Sequence, residues 1–156
     1  MRKSEGFTLI EAMIVIFLIA FISAMLAPSM LQWRSAAKLK GAAENLKGAL
    51  EMAKIRAIQE NGTVSVEFDK NMYRIFVDND RDWSPDPPKS RSSLKTTLLM
   101  DGVRIDTGAT SFRGAPRTRF YGRGTAINGT AVLVNSSGKE KRIRVSTFAK
   151  ISIITP

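Results

Sequence analysis

The sequence predicts an α+β protein in which a long N-terminal transmembrane/amphipathic α-helix packs on a C-terminal antiparallel β-rich head. Three observations support this class. An apolar run over residues 7–31 contains a single charged residue, Glu11. An amphipathic, proline-free stretch follows over residues 32–61. Residues 62–156 then alternate polar and apolar side chains in short segments separated by turn residues.

The apolar run predicts a membrane-spanning helix, because roughly 20 consecutive apolar residues suffice to cross a bilayer. Residues 1–6 form a short leader that carries Arg2 and Lys3. Cations retained on the cytoplasmic side would place the rest of the chain on the outer side of the membrane. Pro28 lies within the run, where a proline bends a helix or removes a backbone hydrogen bond.

Glu11 is the unusual residue of this segment, because a carboxylate inside a membrane usually has a partner and a function. Cleavage after Gly6 would create a new α-amine at Phe7, close to Glu11 of the same chain or of a neighbouring subunit. Buried opposite charges are tolerated when they are paired. The carboxylate therefore favours assembly of like helices and sets their axial stagger.

The amphipathic stretch predicts a helix that packs on a folded head. Six apolar residues recur at alternating steps of four and three, which places them on one face. They are Leu39, Ala43, Leu46, Leu50, Ala53 and Ala57. Asn61-Gly62 predicts the end of this helix.

The sequence of the head predicts a series of short strands. Thr63–Phe68 and Met72–Val77 alternate across a turn, as the two strands of a hairpin do. Further strand-like segments cover residues 94–99, 103–105, 119–121, 124–127, 129–134, 141–146 and 150–154.

An aspartate-rich loop is predicted between residues 78 and 93. Its acidic residues occupy relative positions one, three, five and nine, a spacing that calcium loops use. They are Asp78, Asp80, Asp82 and Asp86. Trp83 stands where a calcium loop has its glycine, and Lys89 stands where it has a bidentate glutamate. The alternative is a solvated loop whose aspartates form Asx turns, with no cofactor.

Composition excludes several kinds of chemistry. The chain has no cysteine and no histidine, which removes disulfides, thiolate ligands, the usual general base and the commonest metal ligand. No motif for a carboxylate or Ser-Lys enzyme is present, so we do not expect an enzyme. The net charge of +10 suits an anionic partner such as DNA, lipid headgroups or an acidic protein.

Residues 107–139 contain no acidic residue but several arginines, and further basic residues follow. Arginines on a Gly-rich segment can contact phosphates without reading sequence. The candidates for nucleic-acid contact are Arg113, Arg117, Arg119, Arg123, Lys141, Arg142 and Arg144. The alternative is a solvated face that meets acidic patches on neighbouring subunits.

The segment Gly6-Phe7-Thr8-Leu9-Ile10-Glu11, with the apolar run behind it, resembles the type IV prepilin family. The resemblance implies cleavage by a prepilin peptidase between Gly6 and Phe7, N-methylation of Phe7, an assembly role for Glu11 and a helix proline at Pro28. A secretory signal cut after Met25-Leu26-Ala27 or a plain membrane anchor are alternatives. The first would place Pro28 after the cut, and neither accounts for Glu11.

The whole layout resembles the GspH/FimT family of minor pilins and pseudopilins. The helix ends near Asn-Gly, an Asp-rich loop follows the first hairpin, and Phe120 precedes Gly124 by four residues. This implies a minor type IV pilin that moves from the inner membrane, with its head in the periplasm, into a pilus. Its partners would be other pilins and the assembly platform. The alternatives are a type II secretion minor pseudopilin and a DNA-binding minor pilin.

Overall fold

The computed structural model describes residues 7–87 and 93–154 of the chain. Within these residues the chain forms one long helix, α1 (Leu9–Gln59), followed by eight strands. The strands are β1 (Thr63–Phe68), β2 (Met72–Val77), β3 (Ser93–Leu98), β4 (Val103–Ile105), β5 (Arg117–Tyr121), β6 (Gly129–Asn135), β7 (Glu140–Val145) and β8 (Ile151–Ile154). A helix followed by strands alone confirms the predicted α+β class.

The chain divides into two compact units, the first ending at Arg34 and the second beginning at Ser35. In the first unit every described side chain of residues 7–23 is exposed. Phe17 and Phe21 stack there with ring centroids 6.4 Å apart. The backbone of α1 stays helical through Pro28, so this proline does not interrupt the helix, and the bend expected there stays a prediction.

In the second unit the remaining part of α1 contributes one face to the hydrophobic core. All six residues of the predicted apolar stripe are buried, and Ala42 and Ala49 join them. The alternating spacing places these side chains on one side of a helix with 3.6 residues per turn. Because five of the eight are alanines, the helix backbone can approach the strands closely. The predicted stripe is confirmed.

The helix ends at the predicted Asn61-Gly62 signal. The amide of Gly62 donates to the carbonyl of Ala57 at 3.0 Å, and the amide of Asn61 donates to that of Ile58 at 3.2 Å. Asn61 has a φ of 46°, the left-handed conformation that this Schellman arrangement requires. Backbone amides that follow α1 therefore satisfy carbonyl groups of its last turn.

The strands form two antiparallel sheets. The first has the order β3-β2-β1-β5, and the second has the order β4-β6-β7-β8. Two backbone hydrogen bonds, each 2.9 Å long, connect segments of the first sheet with segments of the second. The amide of Ile105 donates to the carbonyl of Lys70, and the amide of Ala126 donates to the carbonyl of Thr147. The core lies between α1 and the inner faces of both sheets.

Most predicted strands are present with small shifts of their ends. The expectation of β structure at residues 124–127 is met only in part: no full strand forms there, but after the turn at residues 122–123 Ala126 makes an isolated antiparallel bridge with Phe120. The amide of Gly124 donates to the carbonyl of Tyr121 at 2.9 Å, and Gly124 has a φ of 77°. The chain therefore reverses here, and beyond the turn the amide of Ile127 donates to the carbonyl of Arg119 at 3.0 Å.

Candidate functional site

The amino-terminal segment begins, among the described residues, at Phe7, whose side chain is exposed. Gly6 and the expected cleavage site lie outside the described residues. Thr8 precedes the first helical residue and caps α1, since its hydroxyl oxygen accepts the amide of Glu11 at 3.3 Å. Thr-x-x-Glu is the sequence signature of a capping box. Sequence reasoning missed this role of Thr8, although its spacing from Glu11 could have revealed it.

Glu11 lies in the first turn of α1 and is exposed. The partial positive charge of a helix N-terminus favours a carboxylate there. The start of α1 therefore provides a favourable electrostatic environment for the Glu11 carboxylate. Among the described residues, no helix meets the length and hydropathy expected of a membrane span.

The aspartate-rich loop folds over the first sheet, on the face directed away from the core. Its first residue, Asp78, is fully buried. One carboxylate oxygen, Oδ2, lies 2.6 Å from Nη2 of Arg119 on β5 and also accepts the hydroxyl of Ser65 on β1. Arg119 in turn donates from Nε to the Ser65 hydroxyl oxygen at 2.9 Å. The charge of Asp78 is therefore neutralised inside the protein.

Trp83 closes the loop over this buried pair. The guanidinium carbon of Arg119 lies 3.8 Å from the centroid of the Trp83 ring system, and that of Arg117 lies 4.2 Å from it. The amide of Trp83 donates to the other carboxylate oxygen of Asp78 at 3.3 Å. Cations stacked on an indole are attracted by its π electrons. Trp83, which is out of place in a calcium loop, is thus one of the residues that fix the position of this loop.

The structure brings three of the four candidate calcium ligands together. Oxygen atoms of Asp78, Asp80 and Asp86 lie within 4.8 Å of one another, and Asp82 is outside this group. The amides of Asp82 and Ser84 donate to the side chains two residues earlier, at 3.3 and 2.7 Å. These are Asx turns of the kind that the alternative interpretation predicts. Asp78 is a poor candidate for a metal ligand, because both of its carboxylate oxygens already accept hydrogen bonds within the protein.

The pKa of Asp80 reflects its acidic surroundings. The Asp82 amide that donates to Asp80 lowers the pKa, but partial desolvation and the negative charges of Asp82, Asp86 and Asp78 together outweigh it. The pKa of the Asp80 carboxyl is therefore raised above its ordinary value.

The structure does not bring the seven basic candidates onto one surface. Arg119 is buried and paired with Asp78, so it cannot reach an external phosphate, contrary to the sequence-based expectation. Arg142 and Arg144 share the outer face of the second sheet, whereas Lys141 alternates to the opposite face. The others are separate: Arg113 and Arg123 lie in turns and Arg117 lies on β5.

One residue that sequence reasoning passed over belongs with the second-sheet pair. Arg104 on β4 points to the same face as Arg142 and Arg144, because its strand register aligns it with Val134 and Glu140. Glu140 accepts from Arg142 at 3.1 Å. Only the strand order could have revealed this neighbour, because Arg104 lies far from β7 in the sequence.

Comparison with protein families gives two matches. Residues 42–148 match the family described as Type II transport protein GspH, and residues 1–27 match the prokaryotic N-terminal methylation motif. None of the curated proteins compared matches the chain.

Solved structures with the same fold come from two filament systems. The minor pseudopilin EpsH of the Vibrio cholerae type 2 secretion system is 15% identical, with a TM-score of 0.58 over 76% of this chain and 98% of that one. The type IV minor pilin FimU of Pseudomonas aeruginosa is 16% identical, with a TM-score of 0.60 over 78% of this chain and 92% of that one. E. coli GspH is 16% identical, with a TM-score of 0.51 over 76% and 89%.

A long helix that begins within a methylation motif and is followed by a two-sheet head defines a pilin-like structural subunit. Such proteins are processed by a prepilin peptidase and assemble with other pilin-like proteins. The GspH match covers more than half of the sequence. The chain therefore belongs to the GspH family, whose members are minor structural subunits of type II secretion systems or type IV pili.

Proposed function

We propose that this protein is a minor type IV pilin that is cleaved after Gly6, N-methylated at Phe7 and built into a pilus, near its tip. It first crosses the inner membrane once, with its head in the periplasm and its residues 7–31 in the bilayer. The observation that carries the proposal is the exposed helical segment from Leu9 to Ser23, which lies within the residues that match the methylation motif. Apolar side chains exposed along several turns need cover, which lipid provides first and neighbouring helices provide later.

Glu11 is the residue that guides assembly in this proposal. Its carboxylate lies in the first turn of α1, near the place where cleavage creates the α-amine of Phe7. Once inside a filament core, the carboxylate pairs with the amine of a neighbouring subunit, and the pair sets the axial stagger. The assembly platform and the other pilins are the partners of this step.

The experiment compares Glu11→Ala with Glu44→Ala in a host that makes type IV pili. Glu44 is a matched control because it is an exposed glutamate of the same helix that makes none of the described ion pairs. Intact mass should show cleavage and methylation in both variants. Only Glu11→Ala should be depleted from purified filaments. Normal incorporation of Glu11→Ala would contradict the charge-pair mechanism, and an uncleaved leader on filament material would contradict the whole proposal.

A second candidate is a minor pseudopilin of a type II secretion system. The description of the matching family and the EpsH structure favour it. The physical mechanism is the same, but the machine differs. Pull-down of the protein from its own host, with pilus and secretion components counted separately, distinguishes the two.

A DNA-binding minor pilin is a third candidate, favoured by the shared face of Arg104, Arg142 and Arg144. Phosphate contacts release counterions, so affinity should fall steeply with salt. A gel shift with the full chain in detergent, compared with the triple Gln variant of these residues, tests this. Affinity that does not change with salt would contradict a phosphate-contact mechanism.

A further inference from the structure

Two arginines line the same open cleft, which lies between the end of α1, the start of β1 and the turn after β5. Its volume is about 320 Å³, and the arginines are Arg81 and Arg123. The remaining lining residues are neutral: Asn61, Gly62, Thr63, Asn79, Tyr121 and Gly122. Within the described residues neither guanidinium is part of an ion pair. Two positive charges therefore face one cleft whose lining residues include no carboxylate.

Arg81 is held in place by an aromatic contact. Its guanidinium carbon lies 5.5 Å from the centroid of the Tyr121 ring, and its backbone has a φ of 64°. A guanidinium that packs on a ring keeps the N–H groups at its edge available to an acceptor. The Arg81 side chain is therefore already positioned before a ligand binds.

The backbone around the cleft is closely packed. A Cβ on Gly122 would lie 2.7 Å from the carbonyl carbon of Asn61, and one on Gly62 would lie 2.7 Å from Oδ1 of Asn79. That Asn79 oxygen also accepts the amide of Thr63 at 2.9 Å. The cleft wall is thus set by contacts between the helix end, β1 and the aspartate-rich loop. A preformed site loses less entropy when it binds a ligand.

We propose that this cleft binds an aspartate or glutamate side chain of a neighbouring filament subunit. Carboxylates match the planar fork of a guanidinium and form short, charge-assisted hydrogen bonds with it. The inference rests on the proposed function, since it places the partner in the same filament. It adds a second, periplasmic contact to the one that Glu11 makes inside the filament core.

The surroundings favour a single carboxylate over a polyphosphate such as DNA. Arg81 stands between Asp80 and Asp82, which are both exposed. An extended polyanion would pass close to these carboxylates and be repelled by them, whereas one side chain enters the cleft alone. Desolvation, together with the negative charges of Asp82, Asp86 and Asp78, raises the pKa of the Asp80 carboxyl.

The experiment converts the proposed contact into a covalent bond. Filaments carrying Arg123→Lys are treated with a carbodiimide, which activates a carboxylate and joins it to a nearby lysine amine as an amide. Mass spectrometry should find position 123 joined to an Asp or Glu of another subunit. Arg113→Lys is the matched control, because Arg113 is also an exposed turn arginine but does not line the cleft. The yield should exceed that of the control about tenfold, as for a contact favoured by roughly 1.4 kcal/mol.

The outcomes separate this inference from the proposed function. If Arg123→Lys enters filaments and gives no more adduct than Arg113→Lys, the inference is wrong and the proposed function stands. If the unaltered protein is neither cleaved nor found in filaments, both are wrong.

A second measurement tests the cleft without a cross-link. Incorporation of the Arg81→Gln, Arg123→Gln double variant should fall relative to Arg113→Gln, while its unfolding midpoint stays that of the parent. If instead the full chain binds an oligonucleotide and the double variant loses that binding, the cleft takes phosphates and the carboxylate assignment is overturned.

Discussion

The carboxylate of Asp78 and the guanidinium of Arg119 form an ion pair with 2.6 Å between Oδ2 and Nη2, and both side chains are buried. The pair joins the first residue of the aspartate-rich loop to the middle of β5, 41 positions away. Ser65 on the intervening strand bonds to both partners. The loop is therefore attached to the sheet across three strands.

Removing one partner of this pair should strongly destabilise the protein. Asp78→Asn leaves the Arg119 guanidinium buried without a counter-charge, which costs about 3–5 kcal/mol. Chemical denaturation of the full chain in detergent measures the free energy of unfolding. Glu67→Gln is the control, because it breaks the partly exposed Glu67–Arg74 pair. Such pairs contribute about 0–1 kcal/mol. Equal effects of the two substitutions would contradict the burial of Asp78.

Replacing both partners should restore much of the lost stability. In the double variant Asp78→Leu, Arg119→Met no charge is left unpaired, and apolar side chains of similar volume occupy the site. We expect its free energy of unfolding to lie above that of Asp78→Asn alone. A double variant less stable than the single one would show that Ser65 and Trp83 need the charges rather than the packing.

The raised pKa of Asp80, caused by desolvation and by neighbouring carboxylates, gives a pH-dependent prediction. Because its pKa is raised, the folded state favours the protonated carboxyl, and this stabilisation is present at low pH and lost as pH rises through the folded pKa. Asp80→Asn should therefore raise the unfolding midpoint near neutral pH and leave it unchanged in acid. Thermal unfolding across pH measures this, with Asp101→Asn as an exposed control outside the loop.

The same variant also tests calcium. Because Asp78 is already neutralised by Arg119, we expect about 1 mM calcium, the weak end of protein calcium sites, to leave the midpoint unchanged. A rise in the parent that Asp80→Asn abolishes would establish a metal site.

Asp78 and Arg119 show how much of this site the sequence could predict. Each charge, considered alone, predicts an external partner: a cation for Asp78 and a phosphate for Arg119. Strand periodicity places Arg119 on one face of β5, but it does not reveal which loop covers that face. The apolar stripe of α1 and most strands follow from local periodicity, and are predicted well. The Asp78–Arg119 ion pair and the shared face of Arg104 and Arg142 depend on strand order, which local patterns do not determine.

The cap formed by Thr8 predicts a local effect at the start of α1. Thr8→Ala removes the hydroxyl that accepts the Glu11 amide, and the loss of an N-cap costs about 1 kcal/mol. Hydrogen exchange of the first-turn amides should then become about fivefold faster. Thr8→Ser keeps the hydroxyl and is the control. Unchanged exchange in Thr8→Ala would mean that the Thr8 carbonyl, which also accepts this amide at 3.2 Å, is sufficient.

Two glycines should respond oppositely to the same substitution. Gly122→Ala places a Cβ 2.7 Å from the backbone of Asn61, so the turn after β5 must move away from the end of α1. Such overpacking costs about 1–3 kcal/mol. Gly48→Ala meets nothing within 4 Å and lies inside α1, where alanine is favoured over glycine by about 1 kcal/mol. Denaturation of both variants should therefore show one loss and one gain of stability. A Gly122→Ala variant as stable as the parent would contradict the close approach of the turn to Asn61, and with it the rigid wall of the Arg81–Arg123 cleft.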